Sequence, residues 1–344
     1  MNAESGRTTI LVANPTVSNI STLRFLIERN ILKVDVSKTA IIGVYYVRQG
    51  YDFADSQKFI SDNKLTYFSL HSFECDLSVE NIFGENDCTE NFRTLFEQSD
   101  GIFFFGGPDI QPEAYGEDNL YSVVTDPNRH LFELSFIFHL TGSPRNQNFL
   151  PFMKSRPNYL LTGFCLGLQT LNVAAGGTLW QDIPAQVYGK ESFAEIVTID
   201  RENLHRNYWQ EVTNADSLMR INLHPLVYSK HPFFGETIKV GKNQLPYSYS
   251  SHHQAIKNLA PDFEVTAVSP DGKIIEAIAH SHYPNVFASQ FHPEVPALFE
   301  DMESWRFAPG DQPRTMHQII GKNGYDFHLK YWEHISNIIR ATAK

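Results

Sequence analysis

The sequence predicts an α/β fold with a doubly wound, mostly parallel sheet and helices on both faces. Runs that are apolar at nearly every position, such as 39–47, alternate with segments whose apolar residues recur every three or four positions. The former are typical of strands buried on both faces, and the latter of the helices that connect them. A Gly-x-Cys-x-Gly pattern at 163–167 lies where an apolar run gives way to a helical segment, which predicts a nucleophile elbow.

The first half of the chain is regular enough to predict each element. Strands are expected at 9–13, 39–47, 65–70, 101–105 and 159–163, and helices at 20–31, 53–60, 88–96, 126–140 and 168–174. In a sheet of this kind, ligand sites lie at the carboxyl ends of the strands. The residues that follow the last two of these strands, Gly106-Gly107 and Cys165, are therefore the first candidates for a site.

The second half is less regular. Polar, histidine-rich sequence carries only short β-like pieces at 195–199 and 237–240. Strands are then predicted at 263–268, 274–278 and 286–290, and an amphipathic helix at 325–343. Because no repeat or linker is visible, 1–344 is predicted to form a single domain with insertions near 141–158, 187–246 and 297–323.

Composition excludes several function classes. The formal net charge of −11 is spread along the chain, which argues against a nucleic-acid partner and against binding to an anionic membrane. No stretch is apolar enough to span a bilayer, and the first nine residues lack a signal-peptide core. Cys75, Cys88 and Cys165 are too few and too scattered for a disulfide framework or a zinc site. We therefore expect ordinary thiols at Cys75 and Cys88, and a reducing, cytoplasmic location.

Cys165 is the candidate nucleophile. A tight strand-to-helix turn would hold its thiol clear of the sheet, and the N-terminus of the following helix favours a thiolate. The alternative is a buried structural cysteine between two turn glycines. A cysteine nucleophile needs a base and an orienting group, and His292 and Glu294 supply both at the end of the last predicted strand. The alternative for His292 is a solvated turn.

Two motifs in this order carry a resemblance to a known family. Gly163-Phe164-Cys165-Leu166-Gly167-Leu168-Gln169 and Gln290-Phe291-His292-Pro293-Glu294 resemble the class I glutamine amidotransferase superfamily. Within it, the chain is most similar to the gamma-glutamyl-gamma-aminobutyrate hydrolase family of cysteine peptidases. Further matching segments lie at 105–112, 115–117, 171–174, 176–183, 252–261, 269–272 and 275–277.

The resemblance implies a flavodoxin-like domain and a role for each candidate residue. Cys165 is the nucleophile, His292 the base and Glu294 its orienter, while backbone N–H groups of Gly107 and Leu166 form the oxyanion hole. The implied substrate contacts are Gly106, Gln169, His252 and His253. For the two histidines a packing pair remains the alternative, and for Gln169 a hydrogen bond in the first helical turn. The resemblance implies no cofactor and no metal.

The chain also departs from that family. Leu166 stands where hydrolases of the family often have arginine, as in synthase-type amidotransferases. Arg129 and Glu133 match an Arg-Asp-x-x-Glu pattern, but His130 replaces the aspartate. Their spacing of four predicts a surface ion pair.

Three functional hypotheses follow. The first is a cysteine hydrolase that cleaves the gamma-glutamyl amide bond of a small gamma-glutamyl compound through a glutamyl thioester. The second is a glutaminase subunit that supplies ammonia to a separate synthase, and the third is an inactive binding protein of the same fold. The oligomeric state stays open, with a homodimer as one option.

Overall fold

A computed structural model describes residues 7–213, 215, 217–241 and 245–342. The strands are β1 (Thr8–Ala13), β2 (Thr39–Tyr46), β3 (Phe68–Phe73), β4 (Gly101–Phe104), β5 (Leu160–Phe164), β6 (Thr178–Trp180), β7 (Asn222–Pro225), β8 (Val227–Tyr228), β9 (Tyr247–Ser250), β10 (Ala255–Asn258), β11 (Phe263–Val268), β12 (Ile275–His280) and β13 (Val286–Ser289). The helices are α1 (Val17–Glu28), α2 (Phe53–Asp62), α3 (Thr89–Glu97), α4 (Pro127–Thr141), α5 (Leu166–Ala174), α6 (Ile183–Tyr188), α7 (Phe193–Ile196), α8 (Trp209–Val212) and α9 (Met316–Thr342).

Within this described part, nine strands form one sheet in the order β3-β2-β1-β4-β5-β13-β12-β11-β8. The first six strands are parallel to one another, and β12, β11 and β8 continue the sheet in antiparallel fashion. The predicted doubly wound, mostly parallel sheet is thus confirmed. The strand order reverses direction at β1 and β4, and the loops at the carboxyl ends of β4, β5 and β13 meet at one edge, where a site is expected.

Apolar residues cover both faces of the sheet. Along β1, Ile10 and Val12 face one core, which also holds residues of α1 and α9, while Leu11 and Ala13 face a second core with residues of α3, α4 and α5. Alternation of this kind explains why the buried strands are apolar throughout. In the described residues, no helix is both long enough and apolar enough to cross a membrane.

Several predicted elements differ from the structure. The segment predicted as β-like at 195–199 begins inside helix α7, because Ser192 and Glu195 form a capping box that starts a helix. The other β-like piece, 237–240, begins at the last residue of a π-helical turn, Phe233–Thr237, and is not a strand. The third strand lies three residues later than predicted, and α9 begins at Met316 with a break at Gly321, where φ is 58°. The predicted end of that helix, Ala343, lies outside the described residues.

The structure also corrects the expectation for two cysteines. Cys75 and Cys88 form a disulfide, with Cα atoms 5.4 Å apart. The segment between them leaves β3 and returns to the start of α3, so residues 13 apart in sequence meet. Their count and spacing gave no sign of this, because one isolated disulfide needs only two cysteines that the fold brings together. The inference of a reducing compartment loses its basis.

Candidate active site

The cysteine of the Gly-x-Cys-x-Gly pattern lies at the tip of a sharp turn between β5 and α5. Cys165 has φ 53° and ψ −105°, a conformation that residues other than glycine rarely adopt. Its N–H donates a hydrogen bond of 2.8 Å to the carbonyl oxygen of Ser289, which ties the turn to the end of β13. The side chain is a buried free thiol. Strain at this one residue fits the predicted nucleophile elbow.

The two glycines of the pattern are required by close backbone approach. A Cβ atom at Gly163 would lie 2.6 Å from the carbonyl carbon of Gly167, and one at Gly167 would collide with the carbonyl oxygen of Phe104. Real Cβ atoms do not come this close to backbone atoms. The elbow therefore packs α5 directly against β4 and β5, which places Cys165 next to the loop that follows β4.

The predicted base and its orienting carboxylate lie beside this turn. Nδ1 of His292 is 2.7 Å from Oε1 of Glu294, so Nδ1–H donates to the carboxylate. Burial alone would lower the pKa of His292, but the charges of Glu294 and Cys165 raise it well above its ordinary value. The arrangement favours an imidazolium at His292 beside Cys165, and such a neighbour is what a cysteine that attacks a carbonyl carbon requires.

Contacts of the backbone and of the ring hold His292 in place. The backbone N–H of His292 donates to the carbonyl oxygen of Tyr249 at 2.9 Å, and the Tyr249 ring packs edge-on against the imidazole with centroids 5.4 Å apart. The indole N–H of Trp332, on α9, donates to the carbonyl oxygen of Pro293 at 2.8 Å. Sequence reasoning did not identify Tyr249 or Trp332, because neither lies in a motif that names its partner.

The glycine-rich loop after β4 lies against the same residues. A Cβ at Gly106 would be 2.8 Å from Cε1 of His292 and 3.6 Å from Cβ of Cys165, and one at Gly107 would be 2.9 Å from Cδ2 of Leu166. Among the described residues, the N–H groups of Gly107 and Leu166 have no acceptor in the protein. Two free donors next to a nucleophile are what an oxyanion hole requires.

Arg129 and Glu133 form a buried ion pair, which corrects the prediction of a surface pair. Their side chains are 4% and 0% exposed, and Nε of Arg129 is 2.8 Å from Oε1 of Glu133. Nη2 of the same guanidinium donates to the carbonyl oxygens of Phe105 and Gly106, at 2.9 and 3.1 Å. Burial raises the pKa of Glu133, and Arg129 opposes that rise. The pair was misplaced because helical spacing of four says nothing about which face is buried.

Comparison with known proteins agrees with this geometry. The sequence pattern of the Peptidase C26 family matches residues 82–294, which include the elbow and the histidine–glutamate pair. The chain belongs to the Peptidase C26 family.

Individual relatives show that the chain belongs to the class I glutamine amidotransferase superfamily. The chain is 30% identical over 212 residues to the glutamine amidotransferase-like protein YvdE of Lactococcus lactis subsp. lactis, covering 60% of this chain and 71% of that protein. It is 29% identical over 200 residues to protein NtpR of Enterococcus hirae, covering 58% and 68%. A CTP synthase of Synechococcus sp. is 26% identical over 137 residues, covering 38% of this chain and 24% of the synthase. The resemblance inferred from the motifs is confirmed at the level of the superfamily.

Two of the substrate contacts implied by the resemblance to the gamma-glutamyl-gamma-aminobutyrate hydrolase family have protein partners in this structure. The amide Nε2 of Gln169 donates to the carbonyl oxygen of Gln254 and to Oε1 of Gln290, both at 3.2 Å. Nε2 of His253 lies 3.0 Å from Oδ2 of Asp109, and its Nδ1 lies 3.2 Å from Oδ2 of Asp182. Burial would lower the pKa of His253, but the two carboxylates raise it to about 9. His253 thus joins the loop after β4 to the start of α6.

His252 faces a different part of the C26 domain. Its Nδ1 lies 2.7 Å from the carbonyl oxygen of Gln254, and its ring packs against the ring of His205 with centroids 4.8 Å apart. Of the four residues implied as substrate contacts, Gly106 lies against both Cys165 and His292, and the backbone N–H of Gln169 donates to the carbonyl oxygen of Cys165 at 3.3 Å.

Proposed function

We propose that the chain is a cysteine hydrolase that cleaves the gamma-glutamyl amide bond of a small gamma-glutamyl compound. The observation that carries the proposal is the position of Cys165 between the His292–Glu294 pair and two unpaired backbone donors, in a member of the C26 family. Such a site can form and stabilise a tetrahedral adduct at an amide carbonyl. The gamma-glutamyl half of the substrate is inferred from the motifs shared with the gamma-glutamyl-gamma-aminobutyrate hydrolase family.

The reaction would proceed in two steps. The Cys165 thiolate attacks the amide carbon, and the resulting oxyanion accepts hydrogen bonds from the N–H groups of Gly107 and Leu166. His292, held by Glu294, gives its proton to the leaving amine, and a glutamyl thioester remains on Cys165. His292 then takes a proton from water, the hydroxide attacks the thioester, and glutamate leaves as the thiolate re-forms.

The substrate is expected to divide between two regions. The free α-amino and α-carboxylate groups distinguish a gamma from an alpha linkage, so their binding groups must lie near the Gly106-Gly107 loop. The amine half would face the inserted segments 187–246 and 297–323. Loops of this kind commonly set specificity on a fixed scaffold.

A substrate panel tests the proposal. The purified chain alone should release glutamate from gamma-glutamyl amides and leave alpha-glutamyl dipeptides intact. Polar groups left unpaired by a wrong substrate cost about 1–3 kcal/mol each, so discrimination should be sharp. The Cys165→Ala variant is the control for contaminating hydrolases. Equal turnover of alpha- and gamma-linked substrates would contradict the proposed specificity while leaving the cysteine mechanism in place.

A second candidate is a glutaminase subunit that delivers ammonia to a separate synthase. Two observations favour it: Leu166 after the nucleophile, as in synthase-type amidotransferases, and the match to about a quarter of a CTP synthase. In that case the chain would be silent on the gamma-glutamyl panel and would release ammonia from glutamine once a partner protein is added. Silence under both conditions would favour the inactive binding protein.

A further inference from the structure

A second cluster of histidine and glutamate lies behind the active site. His205 and His224 come from the inserted segment 187–246, and Glu276 comes from β12 of the main sheet. The three side chains are at most 3% exposed, and one nitrogen or oxygen from each lies within 4.8 Å of the others. His252, which is 4% exposed, packs its ring against that of His205.

The polar atoms of this cluster lack partners to a degree that is unusual for a protein interior. Both ring nitrogens of His205, Nε2 of His224, Nε2 of His252 and both carboxylate oxygens of Glu276 are buried without a well-aligned hydrogen bond to the described residues, although Nδ1 of His205 lies 3.0 Å from Oε1 of Glu276. A buried carboxylate without a compensating charge and hydrogen bonds costs several kcal/mol. A single water could serve at most four of these six atoms.

Two of the histidines are held in the tautomer that a metal ligand needs. Nδ1 of His252 lies 2.7 Å from the carbonyl oxygen of Gln254, and Nδ1 of His224 lies 3.1 Å from that of Pro225. Because each Nδ1–H donates to a carbonyl, the lone pair of a neutral ring is on Nε2, the atom without a partner. Metal-bound histidines commonly have this second hydrogen bond.

We propose that His205, His224 and Glu276, whose ligand atoms already lie within 4.8 Å of one another, bind one zinc ion, and that Nε2 of His252 moves in from beside His205 as the fourth ligand. Nδ1 of His205 and Nε2 of His224 lie 3.0 and 3.6 Å from Oε1 of Glu276. Ligand atoms at about 2.0–2.1 Å from a tetrahedral ion are roughly 3.3–3.4 Å apart, so these distances bracket the value required. Imidazole and carboxylate ligands in a closed, four-coordinate site suit zinc.

The role of this site is structural. Its ligands join the inserted segment to β12, and the carbonyl oxygen of Glu276 accepts a 2.8 Å hydrogen bond from the N–H of Gln290, two residues before His292. With four protein ligands, no coordination position remains for a substrate. The ion would therefore hold the insertion against the sheet that supports the catalytic residues, without contacting the reacting atoms.

Metal analysis of the tag-free, full-length protein tests the proposal. We expect about one zinc per chain by mass spectrometry, and after removal by a chelator we expect Co²⁺ to bind stoichiometrically with the visible absorption of a tetrahedral site. X-ray absorption should show only nitrogen and oxygen ligands near 2.0 Å. Zinc should raise the Tm of the metal-free protein by on the order of 5–10 °C. A sulfur ligand, or metal-free protein with neither a cobalt spectrum nor a change in Tm, would overturn the assignment.

Variants identify the ligands. Glu276→Gln and His224→Gln should each lose stoichiometric metal, whereas Cys165→Ala should keep it, because the catalytic thiol is not a ligand. His328→Gln is the matched control, since His328 in α9 is equally buried and both its nitrogens also lack partners. Metal retained by Glu276→Gln, or lost from Cys165→Ala, contradicts the site. If the ligand variants fail to fold, the cobalt spectrum and Tm of the wild-type chain still decide the question.

Discussion

The described residues include two groupings of histidine and glutamate, and the two differ in how the chain assembles them. His292 and Glu294 are two positions apart, and their side chains meet through a bond of 2.7 Å. His205, His224 and Glu276 are far apart in sequence and meet only because the insertion folds back onto β12. The first grouping is visible as a motif and the second is not. Chemistry encoded by short spacing can be inferred from residues alone, whereas chemistry assembled across the fold requires coordinates.

The largest expected effect is a loss of kcat that occurs on substitution of Glu294 but not of Glu276. Glu294→Gln removes the charge that stabilises the His292 imidazolium, so kcat on the best gamma-glutamyl amide should fall roughly ten- to ten-thousand-fold. Cys165→Ala should abolish turnover. Glu276→Gln should act on thermal stability instead, because it removes a proposed metal ligand. Steady-state kinetics and thermal unfolding of the three variants measure both effects.

The contrast between the two groupings would be contradicted if Glu294→Gln and Glu276→Gln had the same effect on kcat and on thermal stability. Wild-type turnover in Glu294→Gln would remove that residue from the catalytic triad. A Glu294→Gln variant that lost kcat only in proportion to lost folded protein would give it a structural role like that of Glu276.

A smaller catalytic loss is expected at Arg129, which contacts the loop that carries the proposed oxyanion donor Gly107. Its guanidinium holds the carbonyl oxygens of Phe105 and Gly106, so Arg129→Met should displace the Gly107 N–H and lower kcat by about 10²-fold, with a smaller change in KM. It also leaves Glu133 buried without its partner, which costs about 3–5 kcal/mol of stability.

The double variant Arg129→Met/Glu133→Leu separates the two roles of Arg129. It should regain most of the lost stability while kcat stays low. Recovery of kcat together with stability would show that Arg129 acts only through folding.

The same distinction explains what the sequence could predict. The elbow glycines, Cys165 and the His292–Glu294 pair all lie in short motifs whose geometry follows from strand and turn rules, and the structure brings them together as expected. The burial of Arg129, the clamp on His253 and the Cys75–Cys88 bond depend on which faces and loops pack together. Spacing contains no information about such contacts, so the sequence predicted a surface pair at Arg129 and free thiols at Cys75 and Cys88, and it did not predict the carboxylates that contact His253.

Loss of the Cys75–Cys88 disulfide is expected to have a smaller effect, on stability alone. It closes a loop of 13 residues, and losing it should lower the free energy of unfolding by about 2–3 kcal/mol. Cys75→Ala, Cys88→Ala and the double variant should lose nearly equal stability, because all three break one bond. Alkylation of the unfolded, unreduced wild type should label only Cys165.

Additive losses of stability in the two single cysteine variants, or three reactive thiols without reductant, would show that Cys75 and Cys88 are ordinary thiols. That outcome would also restore the basis for the reducing compartment inferred from the sequence.

The smallest expected effect concerns His253, which contacts two carboxylates from distant parts of the chain. The carboxylates of Asp109 and Asp182 raise its pKa from 6.5 to about 9, so the folded state favours the imidazolium. This stabilisation is fully present below about pH 6.5 and is lost as the pH rises through 9, with an upper limit of about 3 kcal/mol. Tm should therefore fall by on the order of 5 °C between pH 7 and 9.5.

The His253→Gln variant is the control for this pH dependence. His292, whose pKa is also raised, contributes in the same direction, so the difference between wild type and His253→Gln isolates the share of His253. The variant should be less stable than wild type near pH 6.5 and nearly equal to it at pH 9.5. Parallel curves across this range would mean that His253 is not charged between its two carboxylates.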